Sequence, residues 1–171
     1  MAKHAAGPDH QRLKVFVGKW RTEGQTIAAT GESSLPIHSS DIYEWLPGEF
    51  FVVHRWDGTV GEAKAAGIEI IGYDPVHRNY RTHFFDNTGT AGSEELTVRD
   101  RTWTWLGKQV MGSAWHRCTS VVSDDGRTMN ARHERSDDGK NWTAWMDVTL
   151  RRTVDASASR DSVEREQPMI G

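Results

Sequence analysis

The chain has 171 residues, a net charge of −3 at pH 7 and a sequence pI of about 6.2, with acids and bases interspersed along it. It has no basic run or stripe, so neither nucleic acid nor an anionic membrane is an expected partner. No segment approaches the roughly 20 apolar residues of a membrane helix, and Cys118 is the single cysteine. We therefore expect a cytoplasmic protein without an internal disulfide, monomeric or homodimeric, with one domain large enough to bury a core.

The first predicted element is a short helix at about residues 8–17. Pro8 is typical of a first helical turn, Leu13 and Phe16 share one face, and Gly18 ends the pattern. A helix of about two turns is not stable alone. We expect it to pack against the rest of the domain or to cover part of it.

Short runs rich in β-branched and aromatic residues follow, separated by turns of Gly, Pro, Asn and Asp. The "SDDG" sequences at Ser123 and Ser136 each match a hairpin turn. No helical pattern lies between the runs, so the sheet is expected to be antiparallel. The predicted strands are residues 19–28, 38–46, 49–57, 67–74, 79–86, 91–100, 101–108, 113–123, 127–136 and 141–152.

About ten such strands predict an all-β fold, an antiparallel up-and-down barrel, because closure removes both exposed sheet edges. A β-sandwich is the alternative. The predicted single domain spans residues 1–152. Residues 153–171 lack periodicity and are expected to form a flexible tail.

The sequence "GKW", ending at Trp20, leads into the first strand and resembles the start of the calycin barrels: lipocalins, fatty-acid-binding proteins and nitrobindins. In calycins this tryptophan closes one barrel end, and a basic residue of the last strand lies across its ring. The resemblance implies that Trp20 and Arg151 form the structural closure, with Arg152 as the other basic residue in "DVTLRR".

A closer resemblance rests on "GYDPVHRNYRTHFFDNTGT", with "GKW" upstream and "ERSDDGKNW" downstream. These motifs resemble a bacterial domain-of-unknown-function family, number 1579, over about residues 13–152. This resemblance implies the calycin-like barrel and no defined activity. Nitrobindins hold haem, but Thr22 stands where their "GxWxGxG" motif has a glycine, so no cofactor is predicted and haem remains an alternative.

Histidines are the candidate chemical groups, since imidazole titrates near neutral pH. Counting back from the "SDDG" turn at Ser123 brings His116 and His133 close together on adjacent strands. They are candidate acid–base residues, as are His83 and Glu44, and the competing interpretation makes them polar wall or surface residues. The chain has no His-x-His, His-Glu-x-x-His or Cys-x-x-Cys spacing, so no metal site is predicted.

The leading hypothesis is the binding of a small hydrophobic or amphipathic ligand inside an aromatic-lined barrel. The predicted ligand-binding residues are Trp45, His54, Trp56, His83, Trp103, Trp105, His116 and His133. The alternative is an enzyme of isomerase, cyclase or hydrolase type that uses the same cavity. Nitrobindin-like haem binding and a non-catalytic interaction module are further alternatives.

Overall fold

The computed structural model describes residues 5–29, 31–111 and 114–153. Helix α1, Pro8–Gln11, is followed by a 3-10 turn, Arg12–Val15. The α-helix therefore ends earlier than the predicted residue 17, and the chain tightens so that Phe16 N–H donates to the Leu13 carbonyl. Neither helical segment of the described chain is long and apolar enough to cross a membrane. The predicted tail lies outside the described residues, except for Thr153.

Ten antiparallel strands of the described chain close into one barrel, in which each strand pairs with its sequence neighbours and β1 pairs with β10. The predicted barrel is confirmed, and the β-sandwich alternative is wrong. The strands are β1 Gly18–Thr26, β2 Pro36–Trp45, β3 Phe51–Val60, β4 Ala63–Asp74, β5 Asn79–Asp86, β6 Ala91–Arg99, β7 Thr102–Met111, β8 Ala114–Val122, β9 Thr128–Ser136 and β10 Thr143–Arg152.

The hairpin between β3 and β4 is longer than predicted, because Gly58 does not end the strand. Gly58 pairs with Ala65 on one side and Ser39 on the other, and a Cβ there would overlap the β2 backbone. The turn falls instead at Gly61, whose φ of +59° suits glycine.

One barrel end, here called the closed end, is filled by the segment before β1. Leu13 and Phe16 are 0% and 1% exposed, and the Phe16 ring lies edge-on to Trp103 with 4.8 Å between ring centroids. The Trp20 indole N–H donates to the Phe16 carbonyl at 2.7 Å. The N-terminal segment therefore plugs the barrel, and this excludes water from the core at the closed end.

Candidate functional site

Burial resolves which face of each strand points into the barrel. On β3, Val52 and His54 face inward, whereas Arg55 is exposed and pairs with Glu44 of β2 on the outer wall. On β5, Thr82 faces inward and His83 is exposed. Unlike the apolar closed end, the middle of the barrel therefore carries polar and ionisable side chains.

His54 lies between two carboxyl groups, and we call Asp41, His54 and Glu69 the His54 centre. The His54 Nε2 is 2.9 Å from Asp41 Oδ1, and the His54 Nδ1 is 3.0 Å from Glu69 Oε2. Burial lowers the pKa of His54, but the hydrogen bonds and charges of Asp41 and Glu69 outweigh it, so the pKa is raised. The centre favours an imidazolium that donates to both carboxylates.

The remaining carboxyl oxygens of this centre are also hydrogen-bonded. Thr22 donates to Asp41 Oδ2 at 2.6 Å, and Thr82 donates to Glu69 Oε1 at 2.6 Å. The Trp105 indole N–H reaches the same Glu69 oxygen at 3.2 Å. These bonds compensate the cost of burying the carboxyl groups and hold them in one geometry.

Tyr43 covers the His54 ring at the closed side, stacked with 3.9 Å between centroids and 6° between planes. Burial and then the charge of Asp41 raise the pKa of Tyr43 well above its ordinary value. The phenol therefore stays protonated and acts as a flat packing surface.

A second group, here called the His133 chain, consists of Glu94, His116 and His133. Glu94 Oε1 is 2.7 Å from His116 Nδ1, and His116 Nε2 is 3.1 Å from His133 Nδ1. The predicted proximity of the two histidines is confirmed. His133 Nε2 lies 3.6 Å from Cys118 Sγ, a weak donor.

Which ring donates in the contact between His116 and His133 depends on the tautomers of the two rings. Burial, followed by the neighbouring His116, lowers the pKa of His133 to about 3. Burial and then Glu94 raise the pKa of Cys118 well above its ordinary value, so the thiol stays protonated. The folded protein therefore favours a neutral imidazole at His133 and a neutral thiol at Cys118.

The lowered pKa of His133 predicts a loss of stability in acid. In the unfolded chain His133 takes up a proton near its ordinary pKa of about 6.5, whereas in the folded chain it does so only near pH 3. The free energy of unfolding therefore decreases as the pH is lowered from about 6.5 to about 3. Replacing His133 by Leu should remove on the order of 1–2 kcal/mol of this loss near pH 5. Unfolding free energies of both proteins across this pH range measure the effect.

The matched control is His83→Leu, which removes a histidine from the outer wall and should leave the acid sensitivity of the wild type unchanged. A His133→Leu curve that parallels the wild type throughout would contradict the buried neutral state of His133.

Aromatic rings line the barrel end opposite the plug, here called the open end. Trp56 lies over Gly67 and Phe84 lies over Gly92, positions at which a Cβ would overlap the ring. Trp145 packs edge-on against His133 with 5.9 Å between centroids. Its indole nitrogen is buried without a hydrogen-bond partner among the described residues. All three aromatic side chains remain partly exposed.

The closure pair differs in one residue from the expectation. The guanidinium of Arg152, not that of Arg151, lies over Trp20 at 4.2 Å from the ring centroid, and it also donates to the Val15 carbonyl at 3.0 Å. Arg151 is exposed. The bulge between Ala144 and Met146 shifts the alternation of β10, which places Arg152 inside.

Several predicted site residues lie away from this interior. His83 and Glu44 are on the outer wall, so their prediction as acid–base residues of the cavity is corrected. Trp103 belongs to the closed end beside Phe16, and Trp45 is packed there against the core, paired with Val52.

The structure does bring together His54, Trp56, Trp105, His116 and His133 on the inner face of the middle and open end. Sequence reasoning missed Asp41, Glu69 and Glu94. Alternation places each of these carboxyl groups on a strand face with large apolar residues, such as Tyr43 beside Asp41, but it does not identify that face as the inner one.

Haem, which the resemblance to nitrobindins implies, needs a histidine nitrogen free to bind iron. Both ring nitrogens of His54 and of His116 are hydrogen-bonded, and His133 Nδ1 is bonded to His116. Axial ligation by His54 or His116 would break a buried hydrogen bond, so these residues do not suit haem. In the described ranges, no group of three His, Cys, Asp or Glu side chains is placed to hold a metal ion.

A depression of about 540 Å³ lies on the outer wall across β1, β8, β9 and β10. Its charged residues include Arg132 and Asp147, which form a bidentate pair at 2.8 Å. Because these charges are already paired and the groove is broad and open, the barrel interior is the stronger candidate site.

Comparisons with known proteins agree with this architecture. No curated protein matches the chain. The S-type phycobiliprotein lyase CPES of Guillardia theta is similar in structure, with a TM-score of 0.62 at 11% identity, over 86% of this chain and 93% of that one. Rv2717c of M. tuberculosis has a TM-score of 0.61 at 11% identity, over 88% and 100% of the two chains. These likenesses show a shared β-barrel fold.

The family itself is shown by a family model that matches most of the chain. It matches residues 5–152, which include the N-terminal plug and all ten strands of the described chain. The chain therefore belongs to the family described as "Protein of unknown function (DUF1579)".

Proposed function

We propose that the barrel binds a small amphipathic molecule, which enters at the open end and lies between aromatic rings and the two histidine-containing groups. One observation carries this proposal. The side chains of His54, Glu69 and His116 point inward and yet keep 11%, 13% and 10% of their surface accessible. Such accessible surface on inward-facing side chains supports a barrel interior with room for a small molecule.

The chemistry of this space suits a ligand with an apolar body and polar groups. Trp56, Phe84 and Trp145 supply flat apolar surfaces at the open end. Deeper in the barrel, the His54 centre and the His133 chain supply fixed polar groups. Ligand pockets commonly combine predominantly apolar walls with a few convergent polar groups.

Binding is better supported than acid–base catalysis. A catalytic base works best with a pKa near the operating pH, and the pKa of His133 is lowered to about 3. Both nitrogens of His54 are occupied by carboxyl groups, so neither is available for proton exchange with a ligand. These histidines are arranged to hold hydrogen bonds rather than to transfer protons.

The aromatic wall provides the test of this proposal. Replacing Trp56 by Leu should weaken the binding of Nile red, a neutral polarity-sensitive dye, about tenfold, because buried aromatic anchors are often worth more than 1 kcal/mol. A fluorescence titration gives the dissociation constant. The matched control is Trp142→Leu, since Trp142 lies under Arg117 on the outer wall and should not affect binding.

Saturable binding that weakens only in Trp56→Leu supports the interior site. An absence of saturable binding to the wild type would overturn the proposed function. Equal affinity of the wild type and Trp56→Leu would instead place the dye elsewhere and contradict the proposed site.

A further inference from the structure

The outer wall of the barrel is apolar along the middle of β4. Successive outward positions there carry no polar side chain: Ala66, Ile68, Ile70 and Gly72. A strand that is largely apolar on both faces is typical of a sheet that is covered on both sides. Phe51 and Phe85, which flank these positions on β3 and β5, are 46% and 54% exposed. This part of the wall therefore presents large apolar side chains to solvent.

The strand register arranges the outward residues of β3, β4 and β5 in a regular pattern, here called the β4 patch. Its rows across the strands are Phe51, Gly72 and Arg81; Val53, Ile70 and His83; and Arg55, Ile68 and Phe85. Ile70 stands at the centre. The two phenylalanines occupy one diagonal pair of corners, and the two arginines occupy the other.

Carboxylates of the same chain hold both arginines at the edges of the β4 patch. The Arg55 Nη1 lies 3.3 Å from Glu44 Oε2, and the Arg81 Nη2 lies 3.1 Å from Glu95 Oε1. Both arginine side chains nevertheless stay about half exposed, at 53% and 43%. A carboxylate binds the N–H groups at the edge of a guanidinium, so the flat faces can still stack on an aromatic ring.

We propose that a second copy of the chain docks on the β4 patch, in a two-fold dimer in which the phenylalanines of each copy stack on the arginines of the other. A two-fold interface uses the same surface on both copies, so that surface has to be complementary to itself. When the axis lies in the interface, along or across the strands, each corner of the patch faces an adjacent corner of the second copy. Phenylalanine then meets arginine at every corner, and Ile70 meets Ile70 at the centre.

These contacts are of a kind that stabilises such a pairing. A guanidinium is attracted to the face of an aromatic ring, and more strongly where water is excluded. Sheets that pack face to face commonly keep their strands roughly aligned, as either direction of the axis requires. The dimer uses the outer wall alone, so it does not depend on ligand binding inside the barrel.

The size of the β4 patch predicts a weak dimer. The patch spans about 10 Å across the strands and about 14 Å along them, so it is the centre of an interface below the standard size. We expect a dissociation constant on the order of 10–100 µM. Unfolding experiments at about 1 µM protein therefore observe the monomer, and variants of His83 remain controls for the single chain.

Sedimentation velocity of the full chain from about 2 to about 500 µM tests the dimer, because this range brackets the expected dissociation constant. Ile70→Lys should weaken association at least about tenfold, because it places two like charges together at the axis. The matched control is Val121→Lys, which adds the same charge at an exposed apolar position of β8, on the far wall, and should not affect association. Circular dichroism checks that each variant keeps the barrel.

Two substitutions at one corner test which side chains meet. Phe85→Lys places a cation opposite an arginine of the second copy and should weaken the dimer at least about tenfold. Phe85→Glu places a carboxylate there instead, so the dissociation constant should stay within about threefold of the wild-type value. A purely apolar contact would be weakened equally by both substitutions.

Each contrary outcome overturns a different part of the proposal. A wild type that stays monomeric up to about 500 µM would show that no second copy covers the β4 patch. An Ile70→Lys variant that associates like the wild type would place the interface on another surface. Equal weakening by Phe85→Lys and Phe85→Glu would show that phenylalanine does not face arginine.

Discussion

Replacing Trp20 by Ala should lower the free energy of unfolding by about 3–5 kcal/mol, the range for a fully buried tryptophan. Trp20 is 1% exposed, its N–H bonds the Phe16 carbonyl at 2.7 Å, and Arg152 covers its ring at 4.2 Å. The truncation leaves a cavity under the plug and removes the surface on which the Arg152 guanidinium rests. Urea denaturation of both proteins measures the difference.

Trp142 offers a matched control, because it also lies 4.2 Å from a guanidinium, that of Arg117, but on the outer wall. Trp142→Ala should cost less, about 1–2 kcal/mol, since this indole is only half-buried and cation–π pairs near the surface are worth about 0.5–1 kcal/mol. Equal losses in the two variants would mean that Trp20 stabilises the barrel through its cation contact alone. The closure would then not depend on the burial of the ring.

The sequence predicts the barrel well because its signals are local. Turn residues separate the strands, and alternation marks their two faces, so the number of strands follows from short-range patterns. The "SDDG" turn at Ser123 also determines the pairing of the hairpin that it closes. The contact between His116 and His133 could therefore be predicted by counting residues from that turn.

The His54 centre could not be predicted in the same way, because it depends on the alignment of three strands. Asp41, His54 and Glu69 come from β2, β3 and β4, and the two hairpin lengths set their relative positions. The β3–β4 turn lies at Gly61 rather than before it, which changes that count. Alternation also cannot show which face is inside, so Asp41 and Glu69 resemble surface acids in the sequence.

The expectation that Arg151 lies over Trp20, where the structure places Arg152, fails for a similar reason. The bulge between Ala144 and Met146 adds a residue to one side of the β9–β10 ladder. Before the bulge, alternation would place odd-numbered residues on one face, and after it the inward residues are Val148, Leu150 and Arg152. A bulge leaves no clear signal in a strand as regular in composition as "TAWMDVTLRR".

Replacing His54 by Ala should destabilise the protein by about 3 kcal/mol near pH 6, because it leaves two inward carboxyl groups without the group that bridges them. The loss should depend on pH. The pKa of His54 is raised in the folded state, so its contribution is fully present below its ordinary value of about 6.5 and is lost as pH rises through the folded value.

Unfolding free energies of the wild type and His54→Ala, measured from about pH 6 to about pH 9, should therefore converge as pH rises. The control His83→Ala removes a histidine from the outer wall and should cost about 0.5 kcal/mol or less. A difference between wild type and His54→Ala that stays constant with pH would show that His54 stabilises the barrel by packing on Tyr43 alone. A narrowing difference supports an imidazolium held between Asp41 and Glu69, which keeps both carboxylates fixed inside the barrel wall.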